Sequence, residues 1–128
     1  MIDSHVHQLL EQAIDSPTKL HILLIFHENP QLEASATRMA ERSCRDIWSV
    51  TQSLHEMAED GILTTCHAKG DMHFRYRPQP ERVEAIRSLV RGYDDPLERE
   101  VLHHVLRDIA SYAPYRRTSG WERQMVAM

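Results

Sequence analysis

A polar and partly aromatic row of side chains lies within residues 45–63, RDIWSVTQSLHEMAEDGIL. Val50, Leu54 and Met57 recur at three- and four-residue steps, which predicts a helix with one buried stripe. The side chains that project from the other face of this helix are Trp48, Ser49, Gln52 and His55. They can exchange hydrogen bonds or stack, so we expect this face to contact a partner. The alternatives are that Trp48 packs under the N-terminal helix and that the rest is a solvated face.

Basic side chains flank this helix in the sequence, namely Arg38, Arg42 and Arg45 before it and Lys69, Arg75 and Arg77 after it. For the last two, the alternative role is to keep a strand soluble. The helix itself carries acids, since Glu56, Glu59 and Asp60 crowd its second half. Their charges would repel a polyanion that lay close to that end.

Composition limits the class of protein. The 128 residues have a net charge of −4, with 41% hydrophobic and 27% charged residues, which is typical of one soluble domain with a modest core. The longest nearly apolar run, residues 22–26, is far shorter than the roughly 20 residues that cross a bilayer. Two cysteines without a CxxC pattern and the lack of an evident signal peptide predict a cytoplasmic protein. No cofactor motif, phosphate loop or nucleophile elbow occurs, which argues against an enzyme.

Periodicity and capping signals predict a fold that is mainly α with a small β-hairpin. We expect a single domain over residues 1–113, followed by a loose or partner-ordered tail over 114–128. The predicted core, 17–80, consists of a helix at Pro17–Glu28, a short helix capped by Ser35, a helix capped by Asp46 and a hairpin at 63–77. The predicted flanking helices are 3–15, 81–92 and 96–112.

The stretches SATRMAERSCRDIWSVTQSLHEMAEDGIL and GILTTCHAKGDMHFRYRP resemble the winged helix-turn-helix transcription regulators of bacteria, the broad MarR/ArsR-like group. The likeness covers residues 17–80, and the flanking helices match in kind. It implies a sequence-specific regulator that binds double-stranded DNA as a dimer. The recognition helix, 46–60, would lie in the major groove, and the wing, 63–77, on the backbone or minor groove. The acids on the helix and the net negative charge depart from the usual nucleic-acid-binding pattern.

The resemblance implies a set of DNA-contacting residues: Arg38, Arg42, Arg45, Trp48, Ser49, Gln52, His55, Lys69, Arg75 and Arg77. Gln52 would bond an adenine edge with both groups of its amide, and Trp48 would contact a thymine methyl group or a sugar. The arginines before the helix would meet phosphates, and Lys69, at the tip of the hairpin, the backbone or the minor groove.

Two flanking helices have apolar stripes larger than a winged core of about 60 residues can cover, which favours a homodimer. The predicted interface residues are Leu9, Leu10, Ile14, Val101, Leu102, Val105, Leu106 and Ile109. The alternative is that these helices fold back on the core of their own chain. The sequence does not decide whether a small-molecule effector binds in a pocket between the dimer helices and the winged core.

Nine histidines leave metal sensing as a minor alternative. The candidate ligands are Cys66, His67 and His73 on the hairpin, and His103 and His104 with Asp94 and Asp95. Neighbours in sequence point to different sides of a helix or strand, so we predict no metal site.

Redox sensing at Cys44 is a second minor alternative. Cys44 stands beside Arg45 before the recognition helix, where a cation and a helix N-terminus favour the reactive thiolate. The competing interpretation is a small buried turn residue. As a rival to DNA binding as a whole, a winged helix can also serve as a protein-interaction module, which the net acidity would suit.

Overall fold

The structure is a computed structural model that describes the backbone of residues 3–127 and the side chains of residues 3–113. Its helices and strands are α1 (Ser4–Gln12), α2 (Pro17–Glu28), β1 (Glu33–Ala34), α3 (Ala36–Ser43), α4 (Ile47–Glu59), β2 (Leu63–Ala68), β3 (Asp71–Tyr76), α5 (Pro80–Tyr93) and α6 (Pro96–Ala127). The predicted fold class, mainly helical with a small hairpin, is confirmed.

Polar side chains begin the three helices of the core at the predicted residues. Ser16, Ser35 and Asp46 each accept a hydrogen bond from the backbone amide three residues later, at 3.2, 3.2 and 2.8 Å. Pro17 occupies the first position of α2, where no helical hydrogen bond is lost. These caps satisfy amides that lack partners inside a helix, so they fix where α2, α3 and α4 begin.

A tight turn joins α3 to α4. Cys44 ends α3 in the left-handed region, with φ 57° and ψ 38°. The amide of Arg45 then bonds the carbonyl of Ala40 at 3.1 Å, which closes the end of α3. The chain reverses within three residues, so α4 packs across α3 in a helix-turn-helix arrangement.

The predicted hairpin is confirmed, with β2 and β3 antiparallel. Ala68 pairs with Asp71, so its loop is the two residues Lys69 and Gly70. Both have positive φ, 54° and 82°, as a type I′ turn requires. This turn matches the right-handed twist of the strands and fixes their register.

A third strand completes the sheet, in the order β1-β3-β2. β1 pairs antiparallel with β3, with Ala34 opposite Phe74. The sequence did not predict β1, because a strand of two residues has no periodicity to detect. Both Ala34 and Phe74 are buried in the core, so this short strand closes the open edge of the wing at its base.

The flanking helices belong to the core of the chain itself, which corrects the predicted dimer interface. Six of the predicted interface residues are at most 3% exposed within the single chain, namely Leu9, Leu10, Ile14, Leu102, Leu106 and Ile109. Val105 is half-buried against the same core, and Val101 is 42% exposed. The physical reason is that α1 packs against both α5 and α6, and α6 also contacts α2, so the stripes cover one another.

The C-terminal helix is longer than predicted. Its helical backbone runs to Ala127, whereas we expected it to end at residue 112 before a tail. Pro114 and Gly120 suggested an ending because both are unfavourable inside a helix, but neither forbids helical angles. Residues 1, 2 and 128 lie outside the described residues. Within the described part of the chain, no helix is both long enough and apolar enough to cross a membrane.

Candidate nucleic-acid interface

One face of α4 presents an exposed row of side chains. Trp48 is 83% exposed, and Gln52, His55 and Glu59 follow it at steps of four, three and four residues, all exposed. Such steps place residues in one line along a helix. The buried stripe on the opposite side is Val50, Leu54 and Met57. The alternative in which Trp48 packs under the N-terminal helix is therefore contradicted, and Trp48, Gln52 and His55 lie together as expected.

The wing is attached to this row through His55. Its ring lies 5.3 Å from the ring of Phe74, with the two planes at 89°. This edge-to-face contact holds the base of the hairpin against the middle of α4. Helix and wing thus form one continuous surface.

The pleat of the hairpin decides which wing residues share this surface. Thr65 pairs with Phe74, and His67 pairs with Met72, so all four side chains lie on the face of the sheet that meets α4. Thr65, His67 and Met72 are exposed. None of these three is among the predicted DNA contacts, although the period-two pattern that places Met72 and Phe74 on one face of the wing could have indicated this face.

Arg75 lies on the opposite face of the hairpin from Phe74, because neighbouring residues in a strand alternate. Its Nε is 3.2 Å from Oε1 of Glu33 on the neighbouring strand, and its side chain is 55% exposed. The structure therefore does not bring Arg75 together with the row on α4, which corrects its predicted place. Arg77 is exposed just beyond β3, and its amide bonds the carbonyl of Ile62 at 3.1 Å.

Three other predicted cations stand at the surface. Lys69 is exposed at the tip of the hairpin, and Arg38 and Arg42 are exposed one helical turn apart on α3. Because Arg38 and Arg42 are four residues apart, they project from the same side of α3. In the sequence, the two arginines of α3 precede α4 and the lysine of the hairpin follows it.

Arg45 is turned towards α2 instead. It is half-buried, and it donates from Nε to Nδ1 of His21 at 3.2 Å and from a terminal nitrogen to Oγ1 of Thr18 at 3.3 Å. Burial, and secondly the charge of Arg45, lower the pKa of His21 below 6.5. Arg45 also lines a cleft of about 430 Å³ with Tyr93 and His103.

The three acidic side chains at the C-terminal half of α4 differ in exposure and in contacts. Glu56 is turned towards the protein, with its Oε1 2.6 Å from Nζ of Lys19 and its side chain 18% exposed. The same Nζ lies 2.6 Å from Oδ1 of Asp15, and Lys19 is 2% exposed. Glu59 stays exposed, and Asp60 is half-buried. The two carboxylates share one ammonium group, so one net negative charge remains, but Glu56 is directed towards Lys19 rather than along the exposed row.

Ser49 is half-buried, at the edge of the row. It lines a polar cleft of about 290 Å³ together with Gln52, Lys19 and Glu56. The amide Nε2 of Gln52 donates to Oε2 of Glu56 at 3.2 Å. The sequence could not reveal the contact between Lys19 and Glu56, because these residues are 37 positions apart along the chain.

The two cysteines are both free thiols. Cys44 is exposed at the end of α3, so it is not the buried turn residue that one interpretation expected, and Cys66 is half-buried on β2. Among residues 3–113, no three His, Cys, Asp or Glu side chains come together in a way that could hold a metal ion.

Two solved structures share this architecture. The first is reduced HlyU from Vibrio cholerae N16961, with a TM-score of 0.53 and 21% sequence identity over 70% of this chain and 90% of that one. The second is a "possible transcriptional regulator" from Methanosarcina mazei Go1, with a TM-score of 0.51 and 16% identity over 77% of this chain and 87% of the other. The chain has the winged helix-turn-helix fold. No protein-family model matches the sequence, and a search of curated proteins found no match.

Proposed function

We propose that the protein is a transcription regulator that binds double-stranded DNA in a sequence-specific manner through α4 and the wing. The observation that carries this proposal is the exposed row of Trp48, Gln52 and His55 on a helix that is braced by the wing. The name of one structural neighbour, a "possible transcriptional regulator", supports it.

The dimensions of α4 suit the major groove of DNA. A helix fits into this groove, which is about 12 Å wide, and can contact base edges with its outer side chains. Gln52 offers an amide for a base edge, and Trp48 offers an apolar surface for a thymine methyl group. Arg38 and Arg42 on α3 and Lys69 at the tip of the wing would contact phosphates, which position the helix without reading sequence.

The inward turn of Glu56 supports the proposal against the objection raised by the acids of α4. Asp15, Lys19 and Glu56 together keep one net negative charge, but the Glu56 carboxylate is directed towards Lys19 and is only 18% exposed, so it repels a phosphate less than an exposed carboxylate does. Glu59, the exposed acid of the row, stands 11 residues after Trp48, close to the C-terminal end of the helix. In a recognition helix the N-terminal residues contact the bases, so Glu59 would lie farther from the DNA.

We further propose that the protein acts as a dimer through the outer face of α6. Leu97 is 77% exposed and Val101 is 42% exposed, and they are one helical turn apart on this face. Large exposed apolar side chains that cluster are typical of association surfaces. A two-fold dimer would space two copies of α4 about 34 Å apart, to match a palindromic site.

The test is a gel-shift titration with a pool of random duplexes over a range of salt concentrations. We expect binding at low salt that weakens as salt rises, because phosphate contacts release counterions. Arg42→Gln should weaken binding to all sequences, whereas Gln52→Ala should change which sequences bind. Absence of DNA binding by the wild-type protein at low salt, together with stoichiometric capture of a protein partner that depends on Trp48, would instead favour the protein-interaction function.

A further inference from the structure

A chain of four polar side chains connects the interior of the protein to the exposed row on α4. Asp15 holds Nζ of Lys19 at 2.6 Å, Lys19 holds Oε1 of Glu56 at 2.6 Å, and Glu56 accepts a bond from Gln52 at 3.2 Å through its second oxygen. The first two residues of this chain are at most 5% exposed, and Gln52 is exposed. Burial is greatest at Lys19 and decreases through Glu56 to Gln52 at the surface.

The chemistry of Glu56 fixes the orientation of the Gln52 amide. An ionised carboxylate only accepts hydrogen bonds, so the group that faces it must be the NH2 of Gln52 and not its carbonyl oxygen. A glutamine without such a neighbour can turn its amide over, which exchanges the donor and the acceptor that it shows to a partner. Here the turned amide would set Oε1 of Gln52 against an oxygen of Glu56.

Lys19 stabilises this orientation of the Gln52 amide by holding Glu56 in place. A glutamate at the surface would move with its glutamine and impose little order, because exposed pairs four residues apart on a helix are weak. Oε1 of Glu56 is instead anchored to an ammonium group that comes from α2 and is itself buried. Moving Glu56 away would break one of the two charge-assisted contacts of this buried ammonium group, so Glu56 is held more firmly than a glutamate at the surface.

We propose that Lys19 and Glu56 are positioning residues that make Gln52 select adenine over guanine, an inference that rests on the proposed DNA-binding function. One hydrogen of the Gln52 NH2 is used by Glu56, and the other lies beside Oε1. Together, this hydrogen and Oε1 match the N7 acceptor and N6 donor of adenine in the major groove. Guanine presents two acceptors, N7 and O6, and the oriented carbonyl of Gln52 would face one of them.

The experiment compares sequences that the wild-type protein and three variants select from random duplex DNA. We expect the wild-type protein to prefer adenine over guanine by about tenfold or more at one position of each half-site. Gln52→Ala should abolish the preference at that position alone. Glu56→Gln should reduce it by about twofold, because a neutral amide at 56 can donate or accept and so leaves only about half of the molecules with Gln52 in the matching orientation.

Glu59→Gln is the matched control. It removes one negative charge from the same helix, but Glu59 lies outside the connected chain and is exposed. The control should keep the adenine preference while it gains the same general affinity that any loss of an acid on α4 brings. Retention of the full preference by Glu56→Gln, or its loss in Glu59→Gln as well, would overturn the proposal.

A second measurement uses the free protein. Nitrogen-15 relaxation of the Gln52 side-chain NH2 should show restricted motion in the wild-type protein and in Glu59→Gln, and free motion in Glu56→Gln. Equal mobility of this group in all three proteins overturns the proposal even if DNA binding is sequence-specific. Restricted motion of Gln52 in a wild-type protein that binds no DNA would refute the proposed function, and with it the role in base selection, while the orienting contact itself would stand.

Discussion

Arg45 donates a hydrogen bond from Nε to Nδ1 of His21 over 3.2 Å, and this bond joins the turn before α4 to α2. Only a neutral imidazole can accept it, because both ring nitrogens carry hydrogen in the charged form. Burial, and secondly the charge of Arg45, lower the pKa of His21 below its ordinary 6.5. The folded protein therefore takes up a proton at this site less readily than the unfolded chain.

This relationship predicts how stability depends on pH. The stabilisation from neutral His21 is complete above pH 6.5 and is lost as the pH falls through the lowered pKa of the folded state. We expect the thermal unfolding temperature, followed by circular dichroism from about pH 7.5 to about pH 5.5, to decrease less in His21→Gln than in the wild-type protein. Glutamine accepts the bond from Arg45 at any of these pH values. His5→Gln, on the exposed face of α1, serves as the control, and equal pH dependence in all three proteins would contradict this account.

Two substitutions of Lys69, at the tip of the hairpin, separate an effect on stability from an effect on DNA binding. A residue other than glycine with positive φ costs about 1 kcal/mol, and asparagine tolerates this conformation better than lysine does. Lys69→Asn should therefore raise the free energy of unfolding by up to about 1 kcal/mol while reducing the slope of log affinity for DNA against log salt by about 1. Lys69→Arg keeps the charge and should keep the salt slope. A slope that Lys69→Asn leaves unchanged would show that the wing tip makes no phosphate contact.

Cys44 is strained in the same way at the end of α3, with φ 57°. Glycine adopts this conformation without steric cost, so Cys44→Gly should stabilise the protein by about 1 kcal/mol in urea denaturation. Cys66→Ala, at a strand position without a positive φ, should give no such gain. DNA binding by Cys44→Gly that no longer responds to peroxide, when the wild-type protein does respond, would revive the redox alternative.

The different positions of Arg42 on α3 and Arg75 on the wing lead to different expectations for DNA binding. Arg42 projects freely from α3, whereas Arg75 pairs with Glu33 on the face of the hairpin away from α4. Arg42→Gln should weaken DNA binding by about 1 kcal/mol, and Arg75→Gln should change it by less than about 0.5 kcal/mol in the same gel-shift titration. Equal losses in the two variants would place the outer face of the hairpin on the DNA.

Two leucines of α6 distinguish the core from the proposed dimer surface. Leu102 is 3% exposed, so Leu102→Ala should lower the free energy of unfolding by about 2–5 kcal/mol. Leu97 is 77% exposed, so Leu97→Asp should leave the fold intact but shift the protein towards monomer in sedimentation velocity. A wild-type protein that is already monomeric at high concentration would refute the dimer while leaving the prediction for Leu102 unaffected.

Local signals in the sequence were sufficient to predict the six helices and the hairpin, but not β1 or the full length of α6. Caps such as Ser16 and Asp46 act over three residues, and the stripe of α4 repeats every three or four, so both can be detected without knowledge of the rest of the chain. The same stripe, by elimination, indicated that Trp48 and Gln52 would face outward, and the structure places both at the surface.

Only the tertiary structure decided how distant segments share surfaces. The burial of Leu106 depends on α1, α2 and α5 packing around α6, and the pairing of Arg75 with Glu33 depends on a two-residue strand that has no sequence signature. The charge of Glu56 is turned inward because Lys19 is buried within reach of it. The free energy of such contacts depends on distance in space, which a one-dimensional spacing of residues does not encode until the helices have packed.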